Sequence, residues 1–125
     1  MTAPTQTLLG IDCAGRECVV VVRRGEATLA RAVAAMRLGQ AERLVPLIES
    51  ALSDADVAPA ELDAVGVTTG PGGFTGVRIG LATARGYGLG LDIPVIGATR
   101  FAVFAAAAGE PDRPLLVAVD TRRAE

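Results

Sequence analysis

The chain has 125 residues, which is room for one domain of ordinary size and too little for two sizeable ones. Its 12 basic residues are all arginine, set against 14 acids, and histidine is absent. These absences exclude a His-based triad, a histidine metal site, a Schiff-base lysine and the lysine-bearing phosphate loop. The net charge of -2 lacks the basic field of a free-standing nucleic-acid binder, though it is compatible with membership of a larger assembly that handles RNA.

The apolar fraction of 50% supports a core, and with 3% aromatics that core must be built from Val, Leu, Ile and Ala. Cys13 and Cys18 are too few for a disulfide scaffold. The first residues lack the basic region of a signal peptide, and no run reaches the roughly 18 apolar residues of a membrane span. A cytoplasmic protein with reduced thiols and no membrane contact is the expectation.

In chain order, residues 8–13, 18–23 and 27–34 read as a three-stranded antiparallel meander with a tight turn at Arg24-Gly25-Glu26. The run Val19 to Val22 predicts a second strand covered on both faces. Residues 40–55 carry Ala41, Leu44, Ile48, Leu52 and Ala55 at helical spacing, with a bend or ragged start expected near Pro46. Residues 42–63 hold six acids against one arginine, which makes a solvated or partner-facing acidic surface. A turn at 59–63 leads into a buried strand at 64–68. A glycine-rich loop then opens a helix for which Thr75 is the expected N-cap. A strand at 93–96, a third helix from Thr99 to Ala108, a linker at 109–114 and a last strand at 115–120 complete the reading.

Gly70, Gly72 and Gly73 follow a buried strand and precede a helix, so their free amides could hold an anion; a tight, closely packed turn is the competing reading. Neither a Walker loop nor a G-x-G-x-x-G fingerprint is present. Asp12, at the end of the first strand, could hold hydrated magnesium near a phosphate or cap the following turn. Gly76, Gly80, Ala84 and Gly88 recur every four residues, so a line of small side chains runs along one side of the helix. Glycine costs roughly 1 kcal/mol per helical position relative to alanine, and close approach of a neighbouring element would offset it. The only charges on this helix are Arg78 and Arg85, which either pair with a carboxylate such as Asp12, face a partner, or snorkel from a core helix. Cys13 and Cys18 are expected as small core residues. No carboxylate pair compels an acid/base reading, and no catalytic or metal-binding residue and no cofactor is expected.

Residues 69–97, TGPGGFTGVRIGLATARGYGLGLDIPVIG, resemble the signature of the bacterial tRNA threonylcarbamoyladenosine biosynthesis proteins of the TsaB type, known in older naming as glycoprotease-like. The family pattern G-P-G-[SG]-F-T-G-x-R-I-G is matched throughout Gly70 to Gly80. Ile11-Asp12-Cys13 stands for its I-D-T-like strand end, and Leu44 and Pro46 fit its H-x-x-x-L-x-P-x-I helix. Residues 120–125 fit a D-A-R-R-x-E-like segment. Gln40 departs from the histidine of many members, and family proteins are about twice this length.

The resemblance implies an actin-like ATPase, ribonuclease-H-like α/β domain over residues 1–112: a mixed five-stranded sheet with helices on both faces. Residues 113–125 would be a linker and the first strand of a truncated second domain. It also implies a non-catalytic scaffold of the machinery that puts threonylcarbamoyl on N6 of the adenosine beside the anticodon. Its partners would be a TsaD-like catalytic subunit and a TsaE-like ATPase, with a homodimer as a further state and tRNA reached only through the complex. The pairing surface is expected on the helices at 40–55 and 76–90, through Leu44, Ile48, Gly76, Arg78, Gly80, Ala84, Arg85 and Gly88. The rivals are a nucleotide-binding enzyme of the actin-like kinase class cut to its first domain, with Asp12 and residues 70–73 as its phosphate side, and a peptidase.

Overall fold

Alternation of burial decides which way each strand faces in the computed structural model, which describes residues 5–35, 40–109 and 116–118. In β1 (Thr7–Asp12) every second residue is buried, and Leu9 and Ile11 point to one side. They pair in register with Val22 and Val20 of the antiparallel β2 (Glu17–Arg24) and with Val65 and Val67 of the parallel β4 (Ala64–Thr68). Six aliphatic side chains thereby form one continuous apolar surface. β3 (Ala27–Ala35) adds to β2 antiparallel, and β5 (Val95–Ala98) adds to β4 parallel, giving the order β3-β2-β1-β4-β5.

Two helices cover that surface. α1 (Gln40–Asp54) buries Leu44, Ile48, Ala51 and Leu52 against β2 and β3, and α2 (Phe74–Leu91) lies on β1 and β4 beside it. Full burial of Leu44 and Ile48 is worth roughly 2 kcal/mol each. α3 (Arg100–Ala107) is on the opposite side, where Val103 and the outward strand residues Leu8, Val19, Val21 and Ile96 line a concavity of about 460 Å³. The expected mixed five-stranded sheet with helices on both faces is therefore present, in the actin-like, ribonuclease-H-like arrangement.

Several expectations are corrected by local physics. β2 is buried on one face only: Val20 and Val22 are in the core, while Val19 and Val21 are half-buried because α3 covers little of the other face. α1 starts at Gln40 and continues through Pro46, so of the bend or ragged start expected there the ragged start is absent; Pro46 supplies no N–H. α2 begins at Phe74 with Gly73 as its N-cap, not Thr75, and Val77 N–H donates to Gly73 O at 2.9 Å. The fifth strand starts two residues later than expected, at Val95. Ile93 N–H closes the end of α2 on Gly88 O at 3.0 Å, and Pro94 O accepts from Val65.

Thr99 caps α3 as expected, its hydroxyl accepting from Ala102 N at 3.1 Å. The turn at 59–63 is a single 3-10 turn, Pro59–Glu61. The linker (apart from Gly109), Asp120 and the segment 120–125 lie outside the described residues; of the expected last strand only 116–118 are described, and they are not in a strand.

Candidate functional site

The carboxyl ends of β1 and β4 bring together the residues singled out as a possible phosphate side. Asp12 Oδ1 accepts from Thr68 Oγ1 at 2.8 Å and from Ala14 N at 3.0 Å. The carboxylate ties the end of β1 to its neighbouring strand and caps the following turn, which is the second of its two readings. Arg78, offered as a partner for Asp12, instead stacks over the Phe74 ring at 5.0 Å, and both side chains face outward.

The glycine-rich loop closes on the first hairpin. Gly73 N–H donates to Ala14 O at 2.9 Å, so one amide that an anion would need is occupied. A Cβ at Gly72 would fall on the Ala14 carbonyl, a closeness that only glycine permits. Gly70 has φ 104 and its peptide bond to Pro71 is cis; its carbonyl accepts from Arg100 N at 2.9 Å. The Arg100 guanidinium reaches over the loop to Pro71 O at 3.5 Å and stacks on Phe104 at 5.2 Å. The loop is a packed junction of β1, α2 and α3. Among the described residues no group of three or more His, Cys, Asp or Glu is placed to hold a metal ion.

The glycine line of α2 points inward. Gly76, Gly80, Ala84 and Gly88 are its buried residues. A Cβ at Gly80 would lie 3.6–3.7 Å from Val67, Cys13 and Ile11, and one at Gly88 would strike Val95 and sit 3.1 Å from Ile93 O. The element whose close approach offsets the glycines is the chain's own sheet. Nothing lies within 4 Å of a Cβ at Gly86, and the structure supplies no packing reason for that glycine.

Most of the residues expected to pair lie inside the domain. Leu44 and Ile48 are buried under α1, and the four small residues are buried under α2, because each set is the apolar or thin face on which its helix rests. Of the eight expected residues only Arg78 and Arg85 are exterior.

The outward side of α2 carries Phe74, Arg78, Ala82, Arg85 and Leu89, all exposed; Phe74 is 73% and Leu89 88% accessible. Sequence reasoning missed Phe74 and Leu89. The signal was available, since both fall on the arginine side of the helix, away from the glycine line.

A concavity of about 390 Å³ opens between Ala41 at the start of α1 and Phe74, Arg78 and Ala82 of α2. Along α1, Glu42, Glu49 and Asp54 are exposed, as is Arg43. Glu49 lies close enough to Tyr87 to help burial raise that phenol above its usual range. The remaining acids of the run are partly committed inside the chain: Glu61 pairs with Arg24 at 3.2 Å, and Asp63 accepts from Thr7 N at 2.7 Å.

Comparison with known proteins gives this geometry a context. The family model for TsaD, tRNA N6-adenosine threonylcarbamoyltransferase, matches residues 37–125. The tRNA threonylcarbamoyladenosine biosynthesis protein TsaB of Haemophilus influenzae is 34% identical over 122 residues, which cover 95% of this chain and 51% of that protein. A Mycobacterium tuberculosis protein of no stated function is 41% identical over 121 residues, 95% of this chain and 56% of its own. The solved structure of YeaZ from Pseudomonas aeruginosa superposes with a TM-score of 0.75 at 32% identity, covering 82% of this chain and 48% of that one. The chain spans about half the length of the curated relatives it matches.

Proposed function

Because the chain belongs to the TsaB/YeaZ-like, glycoprotease-like family, we propose that it is the amino-terminal part of an accessory subunit in the synthesis of threonylcarbamoyladenosine in tRNA. In this reading residues 1–112 are a pairing domain and residues 113–125 lead into a second domain. The subunit performs no chemistry. It joins a TsaD-like catalytic subunit in the cytoplasm, the pair recruits a TsaE-like ATPase, and tRNA is met only in the assembly.

The observation that carries the reading is the outward face of α1 and α2. Two adjacent helices expose Phe74 and Leu89 beside Arg78 and Arg85, with acids only on the neighbouring helix. Exposed aromatic and arginine side chains are the residue types enriched at protein interfaces. The opposite charges of α1 and α2 also make the face self-complementary about a two-fold axis, so a homodimer would use the same surface as the catalytic partner. The kinase rival would need Asp12 and the glycine loop for phosphate, and both already hydrogen-bond within the chain.

Reconstitution tests this. Purified catalytic subunit, ATPase and this protein, supplied with tRNA and threonylcarbamoyl donor, should yield the modified adenosine, detected by mass spectrometry of the digested tRNA. Omission of this protein should remove most of the product. Substitution of Asp12 by Asn should leave the yield within about twofold wherever the complex still forms. Full yield without this protein, or loss of product from an Asp12→Asn complex of normal stability, would refute the accessory role.

A further inference from the structure

We infer that Cys13 and Cys18 form a modification site, two thiols held face to face across the first hairpin that close to an intramolecular disulfide by exchange with a small-molecule disulfide such as oxidised glutathione. The register of β1 and β2 runs to the pair Asp12 and Val19, and one further step places Cys13 opposite Cys18. Directly opposed residues of antiparallel strands have Cα atoms about 4.5–5.5 Å apart, inside the range a disulfide spans. Both side chains turn to the same inward face, 2% and 0% accessible, and the two thiols hydrogen-bond each other. That hydrogen bond raises the Cys13 thiol far above its usual range, with burial adding to it, and lowers Cys18, so Cys18 is the first of the two to ionise.

The exchange balances without any other reactant. When the turn at 14–16 opens, the Cys18 thiolate attacks one sulfur of the glutathione disulfide. A mixed disulfide forms, and the departing glutathione thiolate takes up the proton that Cys18 lost. Cys13 then attacks Sγ of Cys18, expels the second glutathione and passes it a proton. Two protein thiols are oxidised and one disulfide is reduced to two thiols. The turn this bond would clamp is the one on which the glycine loop rests, through Ala14 O to Gly73 N. In a reducing compartment such a pair responds to oxidant and is not a permanent staple.

Arg16, between the two cysteines, makes the product easy to read. The protein is refolded from urea in glutathione buffers of graded oxidation, so that access to the thiols does not limit the exchange. It is then quenched with acid and digested with trypsin without reductant. Monomer from a non-reducing gel should yield peptides 1–16 and 17–23 joined and lighter by two hydrogens. At the glutathione ratio that links half of the urea-unfolded chain, at least nine-tenths of the native chain should be linked, since the fold holds the thiols together. Cys18→Ser should give no joined peptide. A native chain linked no more than the unfolded one, or one carrying separate glutathione adducts or intermolecular bonds instead, would overturn the inference.

Discussion

Replacing Gly72 by alanine should cost the domain about 3 kcal/mol, at the upper end of what overpacking usually does. The added methyl group would overlap the Ala14 carbonyl, and its neighbours there are backbone atoms that cannot rotate away. To make room, the loop must withdraw from the first hairpin. That withdrawal breaks the Gly73 to Ala14 hydrogen bond and pulls on Gly70, whose carbonyl holds Arg100 N at the start of α3. Urea unfolding should therefore show a lower midpoint with an unchanged slope. Gly73→Ala is the control, because a Cβ there meets nothing within 4 Å and only the poorer N-cap remains to be lost, a cost of about 1 kcal/mol or less.

Gly80 gives the second large effect, and its sign depends on the size of the replacement. Alanine places its methyl group 3.6–3.7 Å from Val67, Cys13 and Ile11, ordinary contact distances, and removes the helix cost of glycine. Gly80→Ala should therefore stabilise by up to about 1 kcal/mol. Leucine must drive its branched end into Ile11 and Val67, which are 3% accessible each, and lift α2 off the sheet. A loss of about 3 kcal/mol or more is expected, with reduced helix signal in circular dichroism at 37 °C. Opposite effects of the two substitutions would distinguish a helix resting on its own sheet from one waiting for a partner, in which both would be mild for folding.

Much of the fold was legible from period and punctuation. Short apolar runs marked β1, β2 and β4, the Leu44 to Leu52 spacing marked α1, and Thr99 announced the start of α3. These signals are local, and the structure keeps them within two residues. Periodicity also grouped Gly76, Gly80, Ala84 and Gly88 correctly on one face. It could not say what that face meets. A line of small residues lets any neighbour come close, and here the neighbour is the chain's own sheet, through Ile11 and Val67 at Gly80 and Val95 at Gly88.

Leu44 and Ile48 carry the same lesson in plainer form, since the apolar side of an amphipathic helix first serves its own core. What α2 leaves outward is the remainder, the side with its arginines and with Phe74 and Leu89. Asp12 was placed correctly at a strand end, but its hydrogen bond to Thr68 joins residues 56 apart in sequence, beyond any local pattern.

The account depends on the outward face of α1 and α2 being where the catalytic partner docks. Titration calorimetry of the TsaD-like subunit into this protein tests it, comparing wild type, Leu89→Asp with Phe74→Ala, and Gly80→Ala. The outward double substitution should weaken binding at least about 25-fold, the sum of two anchors worth more than 1 kcal/mol each, while the melting temperature stays put. Gly80→Ala should bind as wild type does. Unchanged affinity in the outward variant, or loss of affinity in a well-folded Gly80→Ala, would contradict the account.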